Sequence, residues 1–245
     1  MSALCLRILA SVCMLLDHIG YLLPQYAILR YIGRLAFPLY VFLLVNGYRF
    51  TSSRLRYALR LGLFALLSQI PFSLFCGYES LWSTGNVFFT LLIALLVLWA
   101  TDRLTKKKVL RFLSPLPAIL VYGLYYFGLL HTDYDAKGFL LALVFFYLGN
   151  RKLLCLGASL LVTYHTLLVS YALQLKNFLL GGGVSFARPS QWQLLQLLSL
   201  LALIPIFLYN GKKGKTPASP WAKTTLQWGF YLFYPAHLLI LYLVS

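Results

Sequence analysis

Long apolar runs recur from one end of the chain to the other, and this pattern limits the possible folds more than any other feature. The 245 residues are 61% hydrophobic and only 11% charged, and the mean hydropathy is +0.80. A helix needs about 20 apolar residues to cross the hydrocarbon core of a bilayer, and no polar stretch between the runs is long enough for a second domain. The sequence therefore predicts an all-α, polytopic membrane bundle that forms a single domain over residues 1–245.

The lengths of the runs predict nine transmembrane helices, and the charges between them predict an orientation. The loops after the second, fourth, sixth and eighth runs hold most of the Lys and Arg residues. Because cytoplasmic loops are rich in basic residues, this bias places the N-terminus inside and the C-terminus outside a bacterial inner membrane. The same bias explains the net charge of +16 as a feature of membrane topology. The expected partner is therefore the lipid bilayer, and no nucleic acid is expected. The predicted spans are 5–23, 35–52, 57–76, 86–102, 110–130, 134–149, 153–175, 192–209 and 225–244.

An acid and a base stand side by side inside the first run, in the segment MLLDHIG. Leaving Asp17 facing lipid would cost about 2.5–3.5 kcal/mol, so both residues are expected to face a protein interior or a water-filled cavity. His18 titrates near neutral pH and is a candidate general base. Asp17 can orient an imidazole or be held by Arg34, but adjacent helix positions diverge by about 100°, so the two residues do not form a simple dyad. A hydrogen-bonded pair that only fixes the bundle is the alternative.

Polar residues of four other runs are predicted at a depth similar to that of His18. A rise of about 1.5 Å per residue puts His18 about 16 Å beyond Arg7, in the outer half of the membrane. Several polar side chains at one depth indicate a shared site. These residues are Arg34 at the start of the second run, Gln69 in the third, Asn86 and Thr90 in the fourth and His237 in the ninth.

Other polar residues have simpler interpretations. Arg30 lies four residues before Arg34, on the same helical face, and is expected at the membrane interface. His165 is a single histidine in an apolar run, for which a satisfied core role is the commoner outcome. His131 and the glycines at 181–183 are expected in outer loops.

Two cytoplasmic loops carry basic residues that could meet a phosphate-bearing cofactor. Arg49 follows the second run, and Lys212 lies in the turn YNGKKG after the eighth. Cationic side chains are the usual partners of phosphate groups. The positive-inside rule alone explains the same residues, so both interpretations stay open.

Six segments follow one another along the chain: LDHIG, IGRLAFPLYVFLLVNGY, SQIPF, NVFFTLL, YNGKKG and FYLFYPAHL. In these segments, and in their order, the sequence resembles the TraX family of membrane acyltransferases over nearly its whole length. TraX proteins are similar to the wider group of transmembrane acyltransferases, in which an intramembrane histidine transfers an acyl group from cytoplasmic acyl-CoA to an extracytoplasmic acceptor. The founding activity of the family is N-terminal acetylation of F-type pilin. The resemblance also suggests that Arg7 and His18 form an Arg-x10-His pairing.

The resemblance implies acetyl-CoA as acyl donor and a peptide N-terminus, a pilin-like protein or a glycan as acceptor. In this hypothesis His18 is the base or acyl relay, Asp17 orients it, and Arg34 stabilises the oxyanion. The expected acceptor-site residues are Gln69, Asn86, Thr90 and His237, and the expected cofactor-binding residues are Arg7, Arg49 and Lys212. Two alternatives are a transporter or flippase with an intramembrane Asp, His and Arg relay, and a non-enzymatic assembly factor for surface structures.

Overall fold

The protein is all-helical in the parts that its computed structural model describes, residues 1–180, 195–214 and 219–245. These ranges contain no β-strand, and one isolated bridge joins Gly85 and Thr132. Two 3-10 helices occupy Lys108–Leu113 and Gln196–Ala202. The α-helices are α1 (Ala3–Leu22), α2 (Ala27–Gly33), α3 (Ala36–Phe50), α4 (Arg54–Cys76), α5 (Val87–Lys106), α6 (Leu116–Tyr126), α7 (Lys137–Leu148), α8 (Lys152–Leu179), α9 (Leu203–Phe207) and α10 (Pro220–Val244).

Six helical segments of the described ranges are long and apolar enough to cross a membrane, and a bent pair within α8 would be a seventh. The chain is therefore a multi-pass membrane protein. The structure does not support nine spans: α7 and the segment Gln196–Phe207 are short apolar helices, and 12 residues of α-helix cover only about 18 Å. The predicted span 192–209 also begins outside the described residues. The six segments are Ala3–Leu22, Ala27–Phe50, Arg54–Cys76, Val87–Lys106, Lys108–Tyr126 and Trp221–Val244.

Side-chain caps fix where three of these helices begin. Ser2 accepts a hydrogen bond from the N–H of Cys5, Ser53 caps α4, and Asn86 accepts from the N–H of Phe88. Each cap satisfies one of the backbone donors that a first turn leaves unpaired. At the other end of α4, Gly77 adopts the left-handed conformation, with φ of 68°, that ends a helix at low steric cost.

The core forms where α1, α3, α4, α5 and α7 pack together. Helix α1 contacts α2 and α3, while α4 lies between α5 and α10. Their contacting faces are apolar and fully buried at positions such as Leu6, Leu39, Leu95 and Phe139. The loops at the ends of α4 and α6 also meet, because the N–H of Gly85 donates to the His131 carbonyl at 3.0 Å. This contact brings the loop that precedes α7 over the ends of α1 and α2.

Candidate functional site

A cavity of about 320 Å³, which we call the polar cavity, lies between α1, α2, α3, the end of α4 and the loop before α7. Three cationic side chains and three carboxylates line it, so positive and negative charge are balanced there. Among the described residues, no three His, Cys, Asp or Glu side chains are placed to hold a metal ion. The charged and histidine residues of the lining are Asp17, His18, Arg30, Arg34, Asp133, Asp135, Lys137 and His165.

Asp17 is held by two arginines from the neighbouring helix pair. Arg30 Nη1 donates to Asp17 Oδ2 at 2.9 Å, and Arg34 Nη2 donates to Asp17 Oδ1. Gly33 allows this approach, because a Cβ atom there would lie 2.3 Å from Asp17 Oδ1. Asp17 and Arg34 are only 8% and 6% exposed, so the charges compensate one another where water has little access. Asp17 thus contacts arginines and not His18, as the divergence of adjacent helix positions predicts.

His18 forms a hydrogen bond with His237 that fixes the tautomers of both rings. His237 Nδ1 lies 2.7 Å from the Phe233 carbonyl oxygen, which can only accept, so this nitrogen carries a proton. His237 Nε2 then accepts, and His18 Nδ1, 2.8 Å away, donates to it. In the neutral pair, His18 Nε2 is therefore unprotonated. Because His18 lines the polar cavity and its Nδ1 is bound to His237, Nε2 is the nitrogen that can act on a molecule in the cavity.

The loop before α7 closes one side of the polar cavity. The ring of Tyr134 stacks on Phe37 with centroids 3.6 Å apart, which holds the loop against α3. The Asp133 carboxyl has exposed surface, but it lines the cavity and protein surrounds it. This burial, together with the charge of Asp17, raises the pKa of Asp133 to about 6, although Arg34 acts in the opposite direction. The loop thus adds to this wall of the cavity a carboxyl group whose pKa lies above its usual range.

A second, smaller cavity adjoins the first, and we call it the apolar cavity. Its volume is about 120 Å³, and leucines, phenylalanines and tyrosines form most of its lining, with Arg7 among them. Met14, Tyr40, Val87 and Tyr234 line both cavities. The two spaces therefore share a wall and together extend along α1 from the level of Arg7 to that of His18.

The structure places two of the predicted acceptor residues outside the polar cavity. Gln69 Nε2 donates to the carbonyl oxygens of Leu81 and Thr84. Asn86 Nδ2 donates to Gln69 Oε1 at 2.8 Å and to the Ala65 carbonyl at 2.7 Å. Both side chains are buried and anchor the loop between α4 and α5, which corrects their predicted placement. The two amide groups satisfy backbone carbonyl groups of this loop and of α4.

Thr90 and the basic residues also differ from the predicted placement. Thr90 packs against Gly138 and lines neither cavity. Arg49 Nη2 donates to the Phe146 carbonyl at 2.7 Å, at the C-terminal end of α7, where unpaired carbonyls attract a cation. Lys212 is exposed, and its carbonyl oxygen accepts from the N–H of Ala3. Residues 181–183 lie outside the described residues.

Several residues of the polar cavity were predicted elsewhere. Arg30 was expected at an interface, and its position four residues before Arg34 was the signal that both could reach one partner. Asp133 and Asp135 are absent from the predicted site, although two acids in the segment HTDYD beside an apolar run were a signal for them. His165, expected in the core, lines the cavity, whereas His131 is exposed.

Comparison with known proteins gives a family match over nearly the whole chain. The TraX protein family matches residues 2–245. The chain is also 30% identical, over 98% of its length and 94% of the relative's, to a Dichelobacter nodosus protein named "Probable fimbrial assembly protein FimC, serogroup H1". No solved structure matches it significantly. On the extent of the family match, the chain belongs to the TraX family.

Proposed function

We propose that this protein is an acyl-CoA-dependent acyltransferase, in which His18 removes a proton from the acceptor. The observation that carries the proposal is the His18–His237–Phe233 hydrogen-bond chain, which leaves His18 Nε2 unprotonated beside the polar cavity. A positioned base of this kind contributes about 10²–10⁴-fold to a transfer rate. The family resemblance supports acetyl-CoA as the donor.

The clamp around Asp17 has a supporting role in this proposal. Arg30 and Arg34 neutralise the carboxylate, so α1 can carry an acid beside His18 without placing an uncompensated charge there. The clamp also fixes the rotation of α1 and hence the direction of the His18 ring. That Arg34 donates directly to the oxyanion remains a prediction. Its contact with Asp17 gives more support to a role in fixing the orientation of α1.

The apolar cavity is the proposed route for the thioester arm of the donor. It runs from the level of Arg7 towards the polar cavity, and its lining suits a flexible, weakly polar chain. With the N-terminus in the cytoplasm, as the loop charges indicate, acyl-CoA would arrive at the Arg7 end. The acceptor would enter the polar cavity from the outer side of the inner membrane.

A role in fimbria or pilus assembly is the biological setting that we propose. The Dichelobacter nodosus relative is named as a fimbrial assembly protein. The proposed acceptor is therefore a peptide N-terminus or pilin-like protein, with a glycan as the alternative. The same name equally supports a non-enzymatic assembly factor, which would use the polar cavity to bind a component without changing it covalently.

One experiment separates these functions. The full chain in lipid nanodiscs would be incubated with radiolabelled acetyl-CoA and a synthetic peptide that has a free N-terminal amine. An acyltransferase releases CoA and labels the peptide, and His18→Ala should lower this rate about 10²–10⁴-fold. His131→Ala is the matched control, because His131 is an exposed histidine that lines neither cavity. A wild-type protein that neither transfers nor hydrolyses the thioester would refute the enzyme and leave the assembly factor.

A further inference from the structure

Tyr234 lies at the boundary between the apolar and polar cavities. It lines both, yet its residue surface is only 3% exposed. The backbone N–H of Val87 interacts with its hydroxyl oxygen, but the O–H itself has no acceptor among the described residues. A buried O–H donor without an acceptor is unfavourable, so natural proteins seldom keep one unless a ligand or water accepts from it.

The ring of Tyr234 is held in place by aromatic neighbours. It packs edge-to-face against Phe88 at 5.3 Å and against His237 at 5.7 Å between centroids. The ring of His18 lies 6.3 Å away. Tyr234 is therefore fixed beside the proposed base, with little rotational freedom to lose when it donates a hydrogen bond.

Other donors near this boundary are already engaged. Tyr40 also lines both cavities, but its hydroxyl lies 3.0 Å from Ser11 Oγ. Arg34 donates to Asp17. Val87, the first residue of α5, lines both cavities as well, so the positive end of this helix dipole lies at the same boundary. The boundary thus combines an unpaired O–H donor with an electrostatic preference for negative charge.

From this arrangement we infer that the Tyr234 hydroxyl donates a hydrogen bond to the thioester carbonyl oxygen as that oxygen becomes an oxyanion. The inference rests on the acyltransferase function proposed above. The acceptor nucleophile attacks the carbonyl carbon while His18 Nε2 takes its proton. The C=O π electrons move to the oxygen, which Tyr234 stabilises. When the C=O bond re-forms, the C–S bond breaks, and the CoA thiolate leaves and takes the proton from His18.

Tyr234→Phe is the variant that tests this assignment in the full chain in nanodiscs, with acetyl-CoA and the same peptide. Removal of one oxyanion donor lowers kcat about 10²–10³-fold in known enzymes, and we expect a loss in that range. Because the O–H donates to none of the residues that the structure describes, the unfolding temperature should change little, and acetyl-CoA affinity should stay within about twofold. The pH dependence of the residual rate should keep the wild-type shape, because the base is unchanged.

Tyr40→Phe is the matched comparison, since it removes the other tyrosine hydroxyl that lines both cavities. It breaks the contact with Ser11, so its unfolding temperature should fall while kcat falls much less than in Tyr234→Phe. A wild-type kcat in Tyr234→Phe, or a loss of kcat accompanied by equal losses of thermal stability and acetyl-CoA affinity, would overturn the assignment and leave the acyltransferase standing. A wild-type protein inactive towards acetyl-CoA would overturn both.

Discussion

Gly33→Ala tests whether the close contact of α1 with α2 holds the Asp17 clamp together. Gly33 is the last residue of α2 and is buried. A Cβ atom added there would lie 2.3 Å from Asp17 Oδ1, 2.4 Å from Asp17 Cβ and 2.7 Å from Asp17 Cα. Two of these three atoms belong to the rigid part of Asp17, so a change of side-chain rotamer cannot relieve the contact. The helices must move apart, which also lengthens the hydrogen bonds from Arg30 and Arg34.

The expected loss follows from two opposing effects. Alanine is favoured over glycine in a helix by about 0.5–1 kcal/mol, whereas overpacking of a tight contact costs about 1–3 kcal/mol. At these distances the upper end of that range applies, so the net destabilisation should be roughly 2 kcal/mol. For a chain of this size, about 2–4 °C of unfolding temperature corresponds to each kcal/mol, which gives a drop of about 4–8 °C.

Gly123→Ala supplies the matched control for thermal unfolding in detergent. Gly123 lies inside α6, and a Cβ atom there meets no other atom within 4 Å. This variant should unfold at or slightly above the wild-type temperature, because only the helix preference remains. If Gly33→Ala unfolds at the same temperature as Gly123→Ala, the contact with Asp17 is not tight, and the clamp geometry described above is wrong.

Three further predictions concern the cavity and the topology. His237→Phe keeps a ring but removes the acceptor of the His18 N–H. The transfer rate should therefore fall, by less than the loss of about 10²–10⁴-fold expected when the base itself is removed, and the pH–rate profile should change. An unchanged profile would contradict the assigned tautomers. The pKa of Asp133 is about 6 in the folded chain and about 3.9 in the unfolded chain. The ionised carboxylate therefore destabilises the fold: this effect grows from about pH 4 to about pH 6 and is complete above about pH 6. Asp133→Asn should therefore raise the unfolding temperature at pH 7 more than at pH 4, and an equal effect at both values would count against burial of this carboxyl. Lys107 follows the fourth predicted run and Glu79 follows the third, so single cysteines near them, in a background without native cysteines, should label from opposite sides of the membrane. Labelling of both from the same side would contradict the predicted topology.

The sequence alone determined the class of the fold and most helix positions. Apolar runs of about 20 residues leave few alternatives to transmembrane helices, because the bilayer offers no other partners for the backbone. The runs at 5–23 and 57–76 correspond closely to α1 and α4. Length was less reliable at the ends of the runs: the predicted span 134–149 includes Asp135 and Lys137, its clean apolar part runs only from Gly138 to Leu148, and α7 contains only Lys137–Leu148.

Asp17 and His18 were identifiable from the sequence because ionisable groups are costly in a membrane, whatever surrounds them. The sequence also suggested Arg34 as a partner of Asp17, and the structure confirms that contact, but it indicated neither the contact with Arg30 nor the partner of His18. Which side chain meets His18 depends on how α1 and α10 rotate against each other, and this contact joins residues 219 positions apart. Likewise, Gln69 and Asn86 were expected at the depth of His18, but their direction around α4 and α5 turns them towards the loop that joins these helices. Depth follows from counting residues along one helix, whereas direction is decided by the packing of several helices, and only the tertiary structure contains that information.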